Sequence, residues 1–363
     1  MNKSLHPKPA TDHGAFDGIR LAAAFAVLFS HCYPLTGQEG NEPLIRLTHG
    51  GVGFGSAAVF IFFAISGYLV TQSWFRDPSA QRFMMRRLLR IIPALVFVVA
   101  ASAVLVGGLT TQLSSAAYFS HPETWRYLTK VFVYPAQYGL PGVFTDNPYP
   151  VVVNGSLWSL RPEVFLYAVV AFLGWAGVLR FRLLSVACAL ISLAADAIIT
   201  HTDVLSRFAF LHQVTVFLEN AVPFFVGAAL AQTNLASKKL WSLTAAIGAA
   251  TIALVGTPAF SPLLLLSLPI GTILLARFGR CDLSRYGDFS YGVYLWGFVM
   301  QQVCLHYFPS ITPAALFFLA GVCTLVMAFI SWHLIEVHAL KFKPRRKAKV
   351  GGLPVAPTAE QAT

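Results

Sequence analysis

Apolar residues in this chain gather in long blocks and do not alternate with polar ones. A bilayer core about 30 Å thick takes about 20 residues of apolar helix per crossing. Ten stretches of about that length follow one another: Phe16–Pro34, Val52–Trp74, Ile91–Leu109, Leu157–Leu179, Leu183–Thr200, Phe208–Ala231, Leu240–Gly256, Pro262–Ala276, Tyr286–His306 and Thr312–Ile335. The eighth is short. No motif repeats with a period of 20 to 50 residues, so neither a solenoid nor an inverted repeat is expected. The pattern predicts an all-α, polytopic membrane protein with about ten transmembrane helices.

Composition agrees and excludes other classes. Of 363 residues, 56% are hydrophobic and 11% charged, and mean hydropathy is +0.65. An average soluble domain is roughly a quarter charged. A soluble enzyme, a disordered chain and a secreted disulfide scaffold are all excluded on that ground. Five scattered cysteines (Cys32, Cys188, Cys281, Cys304, Cys323) form no CxxC pair, so no metal site and no disulfide framework are expected. The first apolar run already contains Arg20 and lacks a small-residue cleavage site, so no cleavable signal peptide is expected.

The net charge of +11 would suggest nucleic acid for a soluble protein, but here the position of the charges matters more. With the N-terminus inside and ten alternating spans, 21 of the 26 Lys and Arg residues fall on the cytoplasmic side. The positive-inside rule therefore puts both termini in the cytoplasm, and no nucleic-acid partner is expected. Residues 1–15 read as a cytoplasmic segment, 16–336 as the membrane domain, and 337–363 as a basic, then Pro/Ala/Thr-rich, disordered inner tail. The long outer connections are Leu35–Gly51 and Thr110–Ser156. The second carries Trp125, Tyr127, Tyr134, Tyr138 and Tyr149, which suit stacking on sugar rings and equally suit anchoring at the membrane interface.

Ionisable residues inside spans are costly and by default mark a site. Arg20 and His31 share the first span. Eleven residues on a helix come to three turns and about 20°, so both leave one face about 16 Å apart. His31 suits proton exchange near neutral pH. Arg86, Arg87 and Arg90 lie between the second and third spans at i, i+3 and i, i+4 spacing, so a helix there would present guanidinium forks to cytoplasmic phosphates. The same cluster would also serve as a topogenic signal or a lipid-headgroup contact. Glu163, placed at the outer mouth beside Arg161, needs a partner. Asp196, Glu219 and Glu336 are further embedded acids that fit structural ion pairs. Asn154-Gly-Ser matches a glycosylation sequon, a pattern common by chance. There is no GxSxG elbow, P-loop, GxGxxG or HxxxxD pattern.

These motifs, in this order, resemble the acyltransferase family 3 membrane proteins, which O-acylate bacterial surface and exported glycans. The resemblance runs from about Phe16 to Glu336. It rests on Phe16-Asp-Gly-Ile-Arg20 followed by ten residues and then His31, on Phe62-Phe-Ala-Ile-Ser-Gly-Tyr-Leu69, and on the arginine run through Arg90-Ile-Ile-Pro93. Trp158-Ser-Leu with Glu163 and Tyr167 follows, then Ser290-Tyr-Gly-Val-Tyr-Leu-Trp296. Two positions depart from the family pattern: Arg161-Pro162 precedes Glu163 where Ser-Val is usual, and Gly297 stands where a histidine often ends the last motif. The tail is also too short for the SGNH hydrolase-like domain of longer members.

The resemblance implies ten core helices with the N-terminus inside, and makes 16–336 a transmembrane acyltransferase domain of the bacterial cytoplasmic (inner) membrane. It implies no bound cofactor and no metal, an acyl-CoA co-substrate (acetyl-CoA most commonly) inside, and a carbohydrate acceptor outside, such as an exopolysaccharide or O-antigen. His31 is then the catalytic candidate with Arg20 as its partner and Glu163 orienting acceptor or base, while Arg86, Arg87 and Arg90 bind the CoA phosphates. The rival expectations are a glycan or lipid transporter or flippase, whose path His31 and Glu163 would line, and a structural subunit of a polysaccharide-export complex.

Overall fold

A computed structural model describes residues 15–130, 137–201, 211–279 and 287–344. The expectations for residues 1–14, for Tyr134 and Cys281, and for the tail beyond residue 344 lie outside the described residues, whereas 337–340 at the start of that tail are helical and not disordered.

Ten long helices are present among the described residues: α1 Phe16–Leu35, α2 Phe54–Arg76, α3 Ala80–Thr110, α4 Leu160–Trp175, α5 Arg182–His201, α6 Leu211–Leu230, α7 Lys238–Ala253, α8 Phe260–Phe278, α9 Ser290–Tyr307 and α10 Pro313–Leu340. No strand forms among these residues, only two isolated bridges. Eight of the ten are long and apolar enough to cross a membrane. The other two, α7 with 16 residues and α9 with 18, are not among those eight.

Two boundaries differ from the sequence reading. The third helix starts at Ala80, capped by Ser79, whose hydroxyl accepts from the Arg82 amide at 3.5 Å. The arginine run is therefore helical and continuous with its span. A hydropathy pattern misses this because charged residues in the first turns conceal helical continuity. The last helix runs past Glu336 to Leu340 through a π-turn at Trp332–Glu336.

α2 and α6 touch backbone to backbone. A Cβ on Gly67 would lie 1.9 Å from the Phe224 carbonyl oxygen, and one on Gly227 would lie 2.1 Å from that of Ala64. This is how helices associate where lipid removes the hydrophobic drive: small residues let the backbones close. α9 is buried along most of its length, whereas α10 turns Phe318, Val322 and Phe329 outward. A contiguous apolar exterior of that kind belongs in lipid.

The expected aromatic outer loop is more ordered than an anchor strip. Short helices Ser115–Ser120 and Pro122–Lys130 bury Tyr118 and Tyr127. These two rings build the domain and are unavailable for stacking on a ligand.

Candidate active site

α3 delivers its arginines in a helical row, and two acids outside the helix receive them. Asp77 accepts from Arg82 at 3.0 and 2.5 Å and from Arg86 at 2.7 Å. Asp288, just before α9, accepts from Arg20 at 2.9 Å, from Arg90, from the Ser290 hydroxyl and from the Ser290 amide at 3.2 Å. Hydrogen bonds from Arg82 and then Arg86 hold the Asp77 carboxyl well below the usual carboxylate range. Burial alone would push the Asp288 carboxyl up. Arg20 and Arg90, with the Ser290 hydroxyl, outweigh it and hold this acid low too.

Arg86 and Arg87 are different. Arg86 keeps one buried terminal nitrogen without a hydrogen-bond partner, and Arg87 keeps its buried Nε likewise. The Arg87 guanidinium lies 5.8 Å from the Phe83 ring centre and 5.9 Å from that of Tyr167. Both arginines line a cavity of about 200 Å³ together with Arg20, Arg90, Ser66, Glu163, Tyr167, Tyr291 and Lys343. Five cationic side chains thus share a small cavity whose wall carries one carboxylate, Glu163. Burial, and then the neighbouring Arg90 and Arg87, lower the affinity of Lys343 for its proton. Buried cationic donors without partners are unfavourable until an anion satisfies them.

Glu163 is expected beside Arg161 and in need of a partner, and the structure gives it partners on the wall of the arginine cavity. It accepts from the Ser66 hydroxyl at 3.2 Å and from Tyr167 one turn along α4, while Ser66 and Tyr167 are themselves 2.7 Å apart. Gly155–Ser159, just before α4, forms a 3-10 turn that buries Ser156, Leu157 and Ser159. Arg161 donates to the Tyr138 hydroxyl at 2.7 Å.

Three cavities follow one another along α2. A wide one of about 720 Å³ touches Ser56. A narrow one of about 50 Å³ touches Val59, Phe62 and Phe63, and the arginine cavity touches Phe62, Ser66 and Val70. Ser56 to Val70 spans about 21 Å of helix. The narrow and arginine cavities share Arg20, Phe62, Glu163 and Tyr291 as walls.

α9 runs beside this series as a ladder of polar contacts. Tyr291 donates to the Ile91 carbonyl at 2.9 Å, and Tyr294 bonds Ser159 at 2.6 Å and the Ser156 carbonyl at 2.9 Å. Asn154 is buried and donates to the Leu295 carbonyl at 2.9 Å, which removes it as a glycan acceptor. Higher up, Gln302 is held by Asn147 at 2.8 Å and donates to the carbonyls of Tyr149 and Val152 at 2.8 and 2.7 Å. The loop from 147 to 159 therefore folds into the bundle as a plug.

His31 sits on this ladder but lines neither the narrow nor the arginine cavity. Its ring meets Phe298 edge-on, with centres 5.3 Å apart, and its Nδ1 is buried without a partner. Phe298 is four residues beyond Tyr294, about 6 Å along α9 from the narrow cavity. Arg20 and His31 leave α1 on one side as expected, yet only Arg20 reaches the shared cavities.

Asp288 was missed by sequence reasoning. A signal existed, since it is an acid among mostly basic connections and lies two residues before Ser290-Tyr-Gly. Glu336 is buried, with one oxygen accepting from Ser331 at 3.0 Å. Among the described residues no group of three His, Cys, Asp or Glu side chains could hold a metal ion.

Comparison with known proteins gives these residues a context. Residues 13–333 match the model of a family described as an acyltransferase domain. An O-acetyl transferase of Shigella phage Sf6 is 30% identical over 342 residues, covering 88% of this chain and 94% of that protein. Nodulation protein 10 of Rhizobium leguminosarum bv. viciae is 28% identical, covering 92% and 96% respectively. No solved structure matches the chain.

Proposed function

Because the chain belongs to the acyltransferase family, and is a membrane enzyme of the O-acetyltransferase type, we propose that it moves an acetyl group from cytoplasmic acetyl-CoA to a hydroxyl of an exported or cell-surface carbohydrate. The observation that carries this is the pair of unpaired buried donors on Arg86 and Arg87, in a cavity that Glu163 also lines. Phosphate oxygens are the natural partners of such guanidinium forks. All ten helices cross the bacterial cytoplasmic membrane with both termini inside, which puts the arginine cavity on the cytoplasmic side.

The diphosphate of the coenzyme rests on Arg86 and Arg87, with Arg90 and Arg20 held in place by Asp288. The thioester arm runs from there toward the narrow cavity between Glu163, Ser159 and Tyr294. The acceptor comes from the outer side. Its hydroxyl oxygen attacks the thioester carbonyl, a C–O bond forms and the C–S bond breaks. His31 takes the hydroxyl proton, and the imidazolium returns it to the coenzyme thiolate as it leaves. The buried Nδ1 of His31, with no partner inside the protein, supports its use as that base. Its ring packs against Phe298, about one turn along α9 from Tyr294 of the narrow cavity. Positioning plus a base suffices because a thioester is already activated.

Mass spectrometry of the surface glycan from a deletion strain, complemented with the natural gene or with His31→Ala, tests the reading. Loss of acetyl groups on a polymer still exported, restored by the natural gene alone, is expected. Loss of export with acetylation intact would make the protein a transporter. Full acetylation with His31→Ala at normal protein level would remove His31 from the chemistry.

A further inference from the structure

The wide cavity beside Ser56 shares no lining residue with the narrow or the arginine cavity, and its lining is unlike that of a lipid cleft. Trp158, Tyr138 and Phe217 supply aromatic faces, and Arg161, Gln213 and Glu219 supply hydrogen-bonding groups from α4 and α6. At about 720 Å³ it falls within the range of roughly 300–1,000 Å³ usual for ligand clefts. Charged groups facing hydrocarbon are costly, so an acyl chain is a poor occupant for a wall holding an arginine and a glutamate. A ligand with apolar C–H faces and a rim of hydroxyls satisfies both kinds of lining at once. Aromatic side chains meet such faces while the polar groups meet the hydroxyls.

Its position fits the same occupant. Trp158 and Arg161 line the wide cavity, and Ser159, Leu160 and Glu163, interleaved with them in sequence, line the narrow one. One turn of chain therefore separates the two spaces. On α2, Ser56 faces the wide cavity, and the preceding Gly55 is packed against Ser30, the neighbour of His31; a Cβ there would lie 3.0 Å from the Ser30 hydroxyl. The cavity thus lies at the level of His31, at the far end of the series from the arginines.

We infer that this cavity seats the acceptor: a pyranose ring stacks on Trp158, hydrogen-bonded by Arg161, Gln213 and Glu219, with the reacting hydroxyl directed at the Ser159–Glu163 turn. This rests on the transfer reaction proposed above and names where its acceptor binds. Trp158 and Glu219 are positioning residues, since they hold the sugar and take no part in the bond changes.

The test uses the full-length protein in nanodiscs, radiolabelled acetyl-CoA, and polysaccharide purified from the deletion strain as acceptor. Trp158→Ala is expected to raise KM for the polysaccharide about tenfold while leaving KM for acetyl-CoA unchanged. Glu219→Gln should raise the polysaccharide KM about threefold. Trp158→Phe, which keeps a ring, should restore most of the loss and guards against a folding defect in the alanine variant. An unchanged polysaccharide KM in both Trp158→Ala and Glu219→Gln, or a rise confined to acetyl-CoA, would overturn the assignment. So would phospholipid retained stoichiometrically by the natural protein and lost from Trp158→Ala. If the natural protein transfers no label at all, the reaction itself is refuted, a result distinct from a change in KM.

Discussion

Arg82 and Arg90, near the two ends of one row on α3, are paired. Arg82 is clasped by Asp77, and Arg90 by Asp288 with Arg20 alongside. Between them, Arg86 shares Asp77 but keeps a bare nitrogen, and Arg87 leans on aromatic rings with a bare Nε. The four side chains are chemically alike and lie within nine residues, yet their neighbours divide them. The paired members fix the shape of the cavity. The unpaired members hold donor capacity that no group among the described residues takes up, and the proposed function assigns it to the phosphates of the coenzyme.

The sharpest way to break this division is to remove the acid under Arg90. Asp288→Asn leaves two half-buried guanidinium groups without their hydrogen-bonded carboxylate, and breaking a fully buried pair typically costs about 3–5 kcal/mol, the upper end of what is expected here. We expect a lower melting temperature and a smaller folded fraction on size-exclusion chromatography, with activity lost along with the fold. Arg87→Ala should do the opposite. Its donor has no partner to lose, so thermal stability should hold. The dissociation constant for coenzyme A should rise about 10- to 100-fold, the equivalent of about 1.5–3 kcal/mol for a charged hydrogen bond. Titration calorimetry and a melting curve on the same sample check both halves. Arg86→Ala should fall between the two, with a smaller affinity loss and a slight drop in melting temperature, because it also removes one of the hydrogen bonds that hold Asp77 and leaves Arg82 as its partner.

The same contrast explains what the sequence disclosed. Arg86, Arg87, Arg90, Arg20 and Glu163 were legible because charge inside an apolar block is rare and conspicuous, and all of them meet in one cavity. The helices were legible for the same reason of blockwise hydropathy. What stayed hidden depends on depth and not on residue type. Asp288 looks like a loop acid until Arg20 and Arg90 arrive from α1 and α3. Glu163 reads as an acid in need of a partner until Ser66 of α2 and Tyr167 supply its hydrogen bonds. His31 meets Phe298 of α9, four residues from Tyr294, and lines neither the narrow nor the arginine cavity. No pattern along one chain reports which ring of another helix a side chain will meet.

The smallest effect expected is the one pH brings out. Asp77 lies outside the spans, and its carboxyl is held well below its unfolded value by Arg82 and Arg86. A depressed carboxylate contributes stability that is fully present above the unfolded pKa of about 3.9 and disappears as pH falls through the folded value. In mixed detergent micelles, the melting temperature of the natural protein should therefore hold from pH 8 to about pH 5 and decline below that. Asp77→Asn has no such carboxylate to protonate, so its melting temperature should start a few degrees lower and fall less steeply over the same acid range. The residual slope belongs to Asp288, which is held low in the same way by its own arginines. Parallel slopes for the two proteins would mean that the Asp77 clasp adds nothing to the fold. In that case Arg86 would be as free for a ligand as Arg87, and the two variants should then lose the same affinity for coenzyme A.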